Sequence, residues 1–186
     1  MTETTVKIAK TKPKTRGQMT PFTREQLHLI GASLKAANAT RDLALLSTGV
    51  DTLLRCGDLV RLRVSDVTDH LGEVRLALSV QQDKTEQPVV VHLTPQTRQT
   101  LMALIKGSQK FSGDYLFTRQ GANHGEHLSE VMLRRLVKDW ARIARLNADE
   151  YSGHSLRRTK AAFIYEETKN IEVCRQMLGH SSLAQT

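Results

Sequence analysis

The chain has 186 residues, of which 39% are hydrophobic and 25% are charged, enough for one sizeable core but too few for two ordinary domains. Its 27 basic residues outnumber 19 acidic ones and give a net charge of +8, so a polyanion is a natural partner. No apolar run approaches the roughly 20 residues that span a bilayer, and no apolar secretory signal is visible. We therefore expect a cytoplasmic protein with no membrane partner.

The first 20 residues differ in composition from the rest. They hold five basic residues, one acidic residue and almost no large apolar side chains. Such a segment cannot bury enough surface to order itself, so we expect a flexible basic arm over 1–20 and one folded domain over 21–186. The arm is either an electrostatic tether to nucleic-acid phosphates or a solubilising tail.

Helical spacing predicts the first elements of the domain. Thr23 caps the first helix, in a capping box with the glutamine three residues later. A second helix is predicted from about Thr40 to Gly49. A short third helix follows and carries Leu59 and Leu62.

Alternating apolar residues predict a β-hairpin in the middle of the domain. A polar connection that includes Lys84 joins the two strands, so Lys84 is expected near the tip. The alternating residues are Val74, Leu76, Leu78 and Val80 in the first strand, and Val89, Val91 and Leu93 in the second.

The remainder is predicted to be helical. Thr94, followed by a proline, starts a helix that ends at Gly107. Everything after about residue 126 has helical character, with a cap at Ser129, a further helix starting near Ser155 and a last one closing at Gly179. The sequence thus predicts an α+β fold that is mostly α-helical with a small antiparallel sheet. The helix capped by Ser129 carries an apolar stripe of Leu133, Leu136, Val137, Trp140 and Ile143.

Three short patterns carry residues suited to phosphate chemistry. The first presents Arg55 after an apolar helix, with Asp58 placed to hold its guanidinium. The second puts His154 and Arg157 three residues apart at a helix start, and so on one face. The third ends a helix in Leu-Gly and follows it with His180. Each pattern alone is common on protein surfaces.

In this order, with Lys84 on a hairpin between the first two, the patterns resemble the catalytic domain of the tyrosine recombinases, the phage integrase family. In that family an Arg-x-x-Glu/Asp-Leu motif follows a helix, a Lys lies on a hairpin, a His-x-x-Arg opens a helix, and a Leu-Gly-His precedes the nucleophile. The resemblance covers about 21–186, and the 23 residues between Arg157 and His180 also match it. It implies the catalytic residues Arg55, Lys84, His154, Arg157 and His180, with Asp58 supporting Arg55.

The resemblance implies cleavage of double-stranded DNA through a 3′-phosphotyrosyl intermediate. Arg55 and Arg157 would hold the non-bridging phosphate oxygens with charge-assisted hydrogen bonds. His180 would donate a further hydrogen bond, and His154 would accept or relay the nucleophile's proton. Lys84 would protonate the departing 5′ oxygen. The covalent intermediate conserves the bond energy, so no cofactor or metal is implied.

The chain departs from the family pattern at both ends. The family's nucleophilic tyrosine is expected about three residues past Thr186, and the family's DNA-clamping domain would precede the basic arm. Tyr115 and Tyr165 are expected to be packing residues. Tyr151, just before His154, is near the site by sequence but is not at the position expected for the nucleophile. We therefore expect this chain to be monomeric, to bind DNA weakly and not to cleave it.

Other basic residues are candidate DNA contacts. Arg61 and Arg63 flank an apolar residue near the Arg55 turn, and Arg134, Arg135 and Lys138 lie on the polar side of a helix. Each group either contacts phosphates or is simply solvated.

Two further features have ordinary interpretations. His124, Glu126 and His127 lie in a polar, glycine-rich loop without a third metal ligand placed by spacing, so no metal is expected. Cys56 and Cys174 are expected to be ordinary buried thiols.

Two other functional classes remain open. A non-enzymatic DNA-binding module would retain the phosphate pocket without the nucleophile. A relative of type IB topoisomerases would share the two arginines, lysine and histidine. The Leu-Gly-His pattern and the small size favour the recombinase.

Overall fold

A computed structural model describes residues 19–82, 85–119, 121 and 124–178 of the chain. Within these residues, the helices are accompanied by one two-stranded antiparallel sheet, which confirms the mostly helical α+β fold. A short 3-10 turn, Ala148–Glu150, precedes the last two helices. The elements in chain order are α1 (Arg24–Ala36), α2 (Thr40–Thr52), α3 (Cys56–Val60), α4 (Val64–Val67), β1 (Ala77–Gln82), β2 (Thr85–His92), α5 (Pro95–Gly107), α6 (Glu130–Ile143), α7 (Gly153–Thr168) and α8 (Ile171–Leu178).

The helix starts that carry clear caps lie where the sequence predicts them. The Thr23 hydroxyl accepts from the Gln26 N–H at 3.3 Å, and the Gln26 side chain accepts from the Thr23 N–H at 2.9 Å. Thr94 caps α5 with Pro95 in the first turn, and Ser129 caps α6. Because these caps satisfy N–H groups that lack a helical partner, the boundaries are encoded locally.

Helix α2 continues to Thr52 and does not end near Gly49, so the predicted end was wrong. Gly49 lies inside the helix, where an added Cβ would come within 2.7 Å of Leu156 Cδ1 and 3.0 Å of Leu59 Cδ2. The glycine therefore permits close packing of α2 against α3 and α7. The helix ends instead at Leu53, which adopts a left-handed φ of 56°.

Helix α7 begins at Gly153, two residues before Ser155, near which the sequence predicts its start. Ser152 is its N-cap, and the Ser155 hydroxyl accepts from the Ser152 N–H at 3.1 Å, so a reciprocal box selects the first serine as the cap. The short helix α3 likewise leaves out Leu62, whose carbonyl oxygen accepts from the Leu116 N–H at 2.8 Å.

The predicted hairpin is present, and its register places Leu78 opposite Val91. Both side chains are buried in the core. The first strand starts later than predicted, because its register with β2 begins at Ala77; Leu76, whose carbonyl oxygen accepts from the Leu93 N–H at 2.9 Å, is 66% exposed. Val74 forms only an isolated bridge. Lys84 lies outside the described residues.

A buried carboxylate, Asp51, ties three helices together. Its Oδ2 atom accepts from the Thr94 N–H at 2.9 Å and from the Thr94 hydroxyl at 2.7 Å. Its Oδ1 atom lies 3.4 Å from Lys160 Nζ. The end of α2 is thereby fixed to the start of α5 and to α7, the helix that carries His154 and Arg157.

The C-terminal half is helical as predicted, with one exception. Leu133, Val137 and Trp140 on α6 are buried, which confirms the apolar stripe as core. Residues 144–152, however, form an irregular connection around the 3-10 turn, so the expectation of helix throughout this half was wrong here. This connection brings the start of α7 back against α3, because α6 packs on α3 and α7 packs on α6.

Candidate active site

Arg157 lies at the centre of the candidate site. Its side chain projects from the second turn of α7 and donates a hydrogen bond to the Leu53 carbonyl oxygen at the end of α2. Only 7% of the residue is exposed. Burial, and then the positive charge of Arg55, lower the pKa of Arg157 to about 10, while Asp58 acts in the opposite direction. Neutral pH lies about three units below this pKa, so the guanidinium stays charged there.

The acceptor of this hydrogen bond is itself in an unusual conformation. Leu53 has a left-handed φ of 56°, which is uncommon for a residue other than glycine. Its side chain is buried with Ile164 and Cys174, which lie on α7 and α8. The packed side chain therefore holds the turn that presents the Leu53 carbonyl to Arg157.

Arg55 comes two residues after Leu53 and occupies the N-cap position of α3. It is half-buried, and its charge acts on Arg157. Asp58, in the first turn of α3, also acts on Arg157. The structure thus brings together three of the predicted residues, two guanidinium groups and one carboxylate, from positions about 100 residues apart in the sequence.

His154 lies in the first turn of α7 and is exposed. Its N–H donates to the Ser152 hydroxyl at 3.3 Å, so the cap of α7 fixes its backbone. It lies about one turn before Arg157, and its side chain is open to solvent. Lys84 and His180 lie outside the described residues, so their predicted places in the site remain predictions.

A close contact between Cys56 and Gly153 underlies the site and was not predicted. An ideal Cβ built on Gly153 would lie 2.2 Å from Cys56 Sγ, 3.6 Å from Cys56 Cβ and 3.6 Å from Leu133 Cδ2. Burial, and then the charge of Glu130, raise the pKa of the Cys56 thiol, while Arg134 and Arg157 act in the opposite direction. The neutral sulfur is thus packed directly against the first residue of α7. Both cysteines are buried free thiols, as predicted.

The basic residues suggested as DNA contacts occupy different environments. Arg134 and Arg135 are exposed on α6, and the charge of Arg134 acts on Cys56 beneath the site. Lys138 is bound to Asp149 at 2.7 Å. Their contact with DNA stays a prediction.

The two arginines after α3 also differ from each other. Arg61 is exposed. Arg63 donates to the Gly113 carbonyl and to the Tyr115 hydroxyl at 2.9 Å, and its guanidinium lies 4.1 Å from the centre of the Tyr115 ring. Arg63 is therefore held against the 113–115 turn, although it remains exposed.

The three tyrosines occupy different environments. Tyr151 is 4% exposed and stacks on Phe22 with ring centres 4.5 Å apart. Tyr115 is half-buried and contacts the ring of His127 edge-on at 5.1 Å, as expected of a packing residue. Tyr165 is 46% exposed, so its interpretation as a packing residue was wrong. It projects from the outer side of α7, where helical spacing does not place it over the core.

The histidines of the 124–127 loop have local partners. His124 Nδ1 lies 2.8 Å from Asp114 Oδ2, and His127 Nδ1 lies 2.7 Å from the Leu128 carbonyl oxygen. In the part of the chain that the structure describes, no three histidine, cysteine or acidic side chains converge as a metal site would require. No helix among those same residues has the length and apolar character to span a bilayer.

Comparison with known proteins identifies the family. The model of the phage integrase family matches residues 21–186. The chain belongs to the phage integrase family. It is 26% identical to the probable integrase/recombinase YoeC of Bacillus subtilis over 144 residues, which are 76% of this chain and 72% of YoeC. It is 30% identical to a tyrosine recombinase of Pseudothermotoga lettingae over 146 residues, 78% of this chain and 48% of that protein.

The fold agrees with a solved member of the family. The crystal structure of lambda integrase residues 75–356 bound to DNA superposes with a TM-score of 0.63 and 20% identity, and covers 91% of this chain and 60% of that one. At this identity the likeness shows the fold, a tyrosine recombinase catalytic core. The chain spans about half the length of most of the curated relatives that it matches.

Proposed function

We propose that this phage integrase family chain is the DNA-binding catalytic domain of a site-specific recombinase that cleaves and rejoins double-stranded DNA. The observation that carries the proposal is the pairing of Arg157, almost fully buried, with the half-buried Arg55. Two guanidinium groups held together in a protein interior repel each other, and the single carboxylate of Asp58 beside them leaves a net positive charge that a further anion would stabilise. A phosphodiester fits this requirement, because its non-bridging oxygens accept paired hydrogen bonds from guanidinium groups.

The same pair stabilises the transition state better than the ground state. Negative charge builds on the non-bridging oxygens during in-line attack, and the guanidinium group of Arg157 is already oriented by its hydrogen bond to the Leu53 carbonyl oxygen. His154, exposed beside them, accepts or relays the proton of the attacking hydroxyl. His180 donates a further hydrogen bond to the phosphate.

Lys84 is proposed as the acid that protonates the departing 5′ oxygen. Its replacement by alanine should leave DNA binding nearly intact and abolish cleavage in a protein that carries the family's nucleophile. Equal loss of binding and cleavage would assign Lys84 to binding instead. The reaction as proposed conserves the phosphodiester energy in a tyrosyl ester and requires no cofactor.

The relatives support this proposal. YoeC is described as a probable integrase/recombinase, and the lambda integrase structure contains DNA. We propose that residues 21–186 form the catalytic domain and that the basic segment 1–20 tethers the protein to DNA phosphates. This function places the protein with DNA in the cytoplasm.

A DNA-binding module without cleavage activity is the second candidate. Two of the three tyrosines within residues 19–178 favour it, since Tyr151 is buried in a ring stack and Tyr115 is held by Arg63 and His127, while the exposed Tyr165 lies on the outer side of α7. Such a module would keep the two-arginine phosphate site and lack the covalent step.

Phosphate binding by the two arginines is tested by measuring the affinity for a DNA duplex at several salt concentrations. Arg157→Ala and Arg55→Ala should each weaken binding and reduce the slope of log affinity against log salt by roughly one unit, because each removes one phosphate contact. Arg24→Ala is the matched control. Arg24 is bound to Glu167, 10 residues and about 15 Å along α7 from Arg157, and its loss should leave the slope unchanged. Unchanged slopes for both site variants would contradict the proposal.

A further inference from the structure

Cys56 and Gly153 meet where the two arginine-bearing segments come together. Cys56 directly follows Arg55, and Gly153 is the first residue of α7, four residues before Arg157. A Cβ on Gly153 would lie 2.2 Å from the sulfur, a distance that real Cβ atoms essentially never show. The sulfur therefore occupies the space that a side chain at position 153 would need.

The overlap must be relieved at the sulfur or at the helices. Cys56 is buried, and the Cδ2 atom of Leu133 on α6 lies 3.6 Å from the added Cβ, an ordinary contact. Ordinary contact begins at 3.4 Å, so a side chain on Gly153 requires the buried sulfur, α7 or the α3 turn to move by more than 1 Å. Movement of the α3 turn would displace Arg55, and movement of α7 would displace His154 and Arg157.

We propose that Cys56 and Gly153 are positioning residues that set the separation of the Arg55 and Arg157 guanidinium groups. The inference rests on the proposed function, since the separation matters for a phosphate held between the two groups. Neither residue touches the substrate. The sulfur acts as a spacer under the start of α7. Because Gly153 has no side chain, the helix packs directly against the sulfur.

The size of the expected effect follows from the precision that catalysis needs. Groups that stabilise a transition state must be held within about 0.5 Å of their productive positions, and an error of about 1 Å costs on the order of 100-fold in rate. The displacement required by a Cβ at position 153 exceeds this tolerance. Removal of the sulfur makes this displacement unnecessary, because the nearest Cys56 atom to the added Cβ would then be Cys56 Cβ at 3.6 Å, an ordinary contact.

The test is a mutant cycle in the protein expressed from its complete reading frame. Gly153→Ala should lower the rate of covalent adduct formation on a nicked duplex by about 100-fold at saturating protein. The double variant Cys56→Ala/Gly153→Ala should return to within about 3-fold of Cys56→Ala alone. Gly31→Ala, in α1, is the matched control, since its Cβ would lie at an ordinary contact distance of 3.7 Å from Leu43 Cδ1 of α2 and should not affect the rate.

A DNA-free measurement separates this inference from the proposed function. In NMR spectra, the guanidinium Nε–H chemical shifts of Arg55 and Arg157 should change in Gly153→Ala. In the double variant these chemical shifts should match those of Cys56→Ala. If the wild-type protein forms no adduct on any duplex, the proposed function fails, and these resonances alone judge the positioning role.

The outcomes that overturn the inference are specific. They are a wild-type rate in Gly153→Ala, a double variant as slow as Gly153→Ala, or unchanged arginine resonances. A purely structural role would lower the melting temperature of Gly153→Ala without changing the rate per folded molecule. If Gly153→Ala does not fold, the comparison of the double variant with Cys56→Ala decides, since a double variant that is folded and active supports the spacer and one that is not overturns it.

Discussion

The guanidinium of Arg157 donates a hydrogen bond to the carbonyl oxygen of Leu53, 104 residues earlier in the chain. Main chain at the end of α2 thereby holds a charged side chain of α7. Because burial and the charge of Arg55 lower the pKa of Arg157 to about 10, its charged form is less favourable in the folded protein than in water. A charge kept in such a place indicates selection for function more than for stability.

Replacement of Arg157 by methionine should therefore change stability little. The change leaves the Leu53 carbonyl without this donor, which costs about 1–3 kcal/mol. It also removes a buried charge whose lowered pKa corresponds to about 3 kcal/mol. The two terms oppose each other, so the free energy of unfolding in urea should stay within about 1 kcal/mol of wild type while DNA affinity falls.

The pH dependence has a definite sign. The folded-state pKa lies below that of the unfolded chain, so the penalty on Arg157 is fully present below about pH 10 and is relieved as pH rises through that value. Comparison of Arg157→Met with the wild type at neutral pH therefore measures the whole penalty on the charged Arg157. A loss of more than about 3 kcal/mol in Arg157→Met would show that Arg157 is mainly a structural residue.

Asp51→Ala should be strongly destabilising. The change removes the acceptor of two Thr94 hydrogen bonds and leaves Lys160 without its buried partner, so we expect a loss of about 3 kcal/mol in the free energy of unfolding. Asp139→Ala is the control, because its ion pair with Arg142 is about 60% exposed and should contribute less than about 0.5 kcal/mol. Equal effects of the two changes would contradict the role given to Asp51.

Lys110→Met should be neutral or stabilising at pH 7. Lys110 is 8% exposed, donates to the Thr118 hydroxyl at 3.2 Å, and has a pKa lowered by burial against the opposing charge of Asp114. The wild-type protein regains stability as pH rises through this lowered pKa, because the unfolded lysine still binds its proton there. The difference in melting temperature between Lys110→Met and wild type should therefore shift in favour of wild type between pH 7 and pH 10. A constant difference would show that the Lys110 charge is not destabilising.

Local signals in the sequence were sufficient for much of the fold. The caps at Thr23, Thr94 and Ser129 mark helix starts with a few neighbouring residues, and the alternation around Leu78 and Val91 marks a hairpin. Each signal depends on contacts within a few residues or across one turn, and such contacts are visible in a sequence.

Features that depend on distant contacts were missed. Gly49 looked like a helix stop, but its lack of a side chain serves packing against Leu59 and Leu156. The real end at Leu53 needs a left-handed leucine, which no local preference predicts. Leu76 follows the strand alternation, yet it lies before the register with β2 begins and is exposed.

The candidate site shows the same division. Arg55, Asp58, His154 and Arg157 were all predicted through their motifs, and the structure brings Arg55, Asp58 and Arg157 close enough to interact. The sequence alone did not reveal the Leu53 carbonyl or the Cys56–Gly153 contact. Both join segments about 100 residues apart, so only the folded chain places them together.

The most direct test of the recombinase account is covalent adduct formation on DNA. We would express the complete reading frame of the gene, together with residues 1–186 alone, and incubate both with a nicked suicide duplex. The account predicts a 3′-phosphotyrosyl adduct with the protein from the complete reading frame, none with residues 1–186 alone, and none with the complete protein carrying Arg157→Met. If neither protein forms an adduct while both bind the duplex, the molecule is a DNA-binding module and the catalytic roles assigned to Arg55, His154 and Arg157 are wrong.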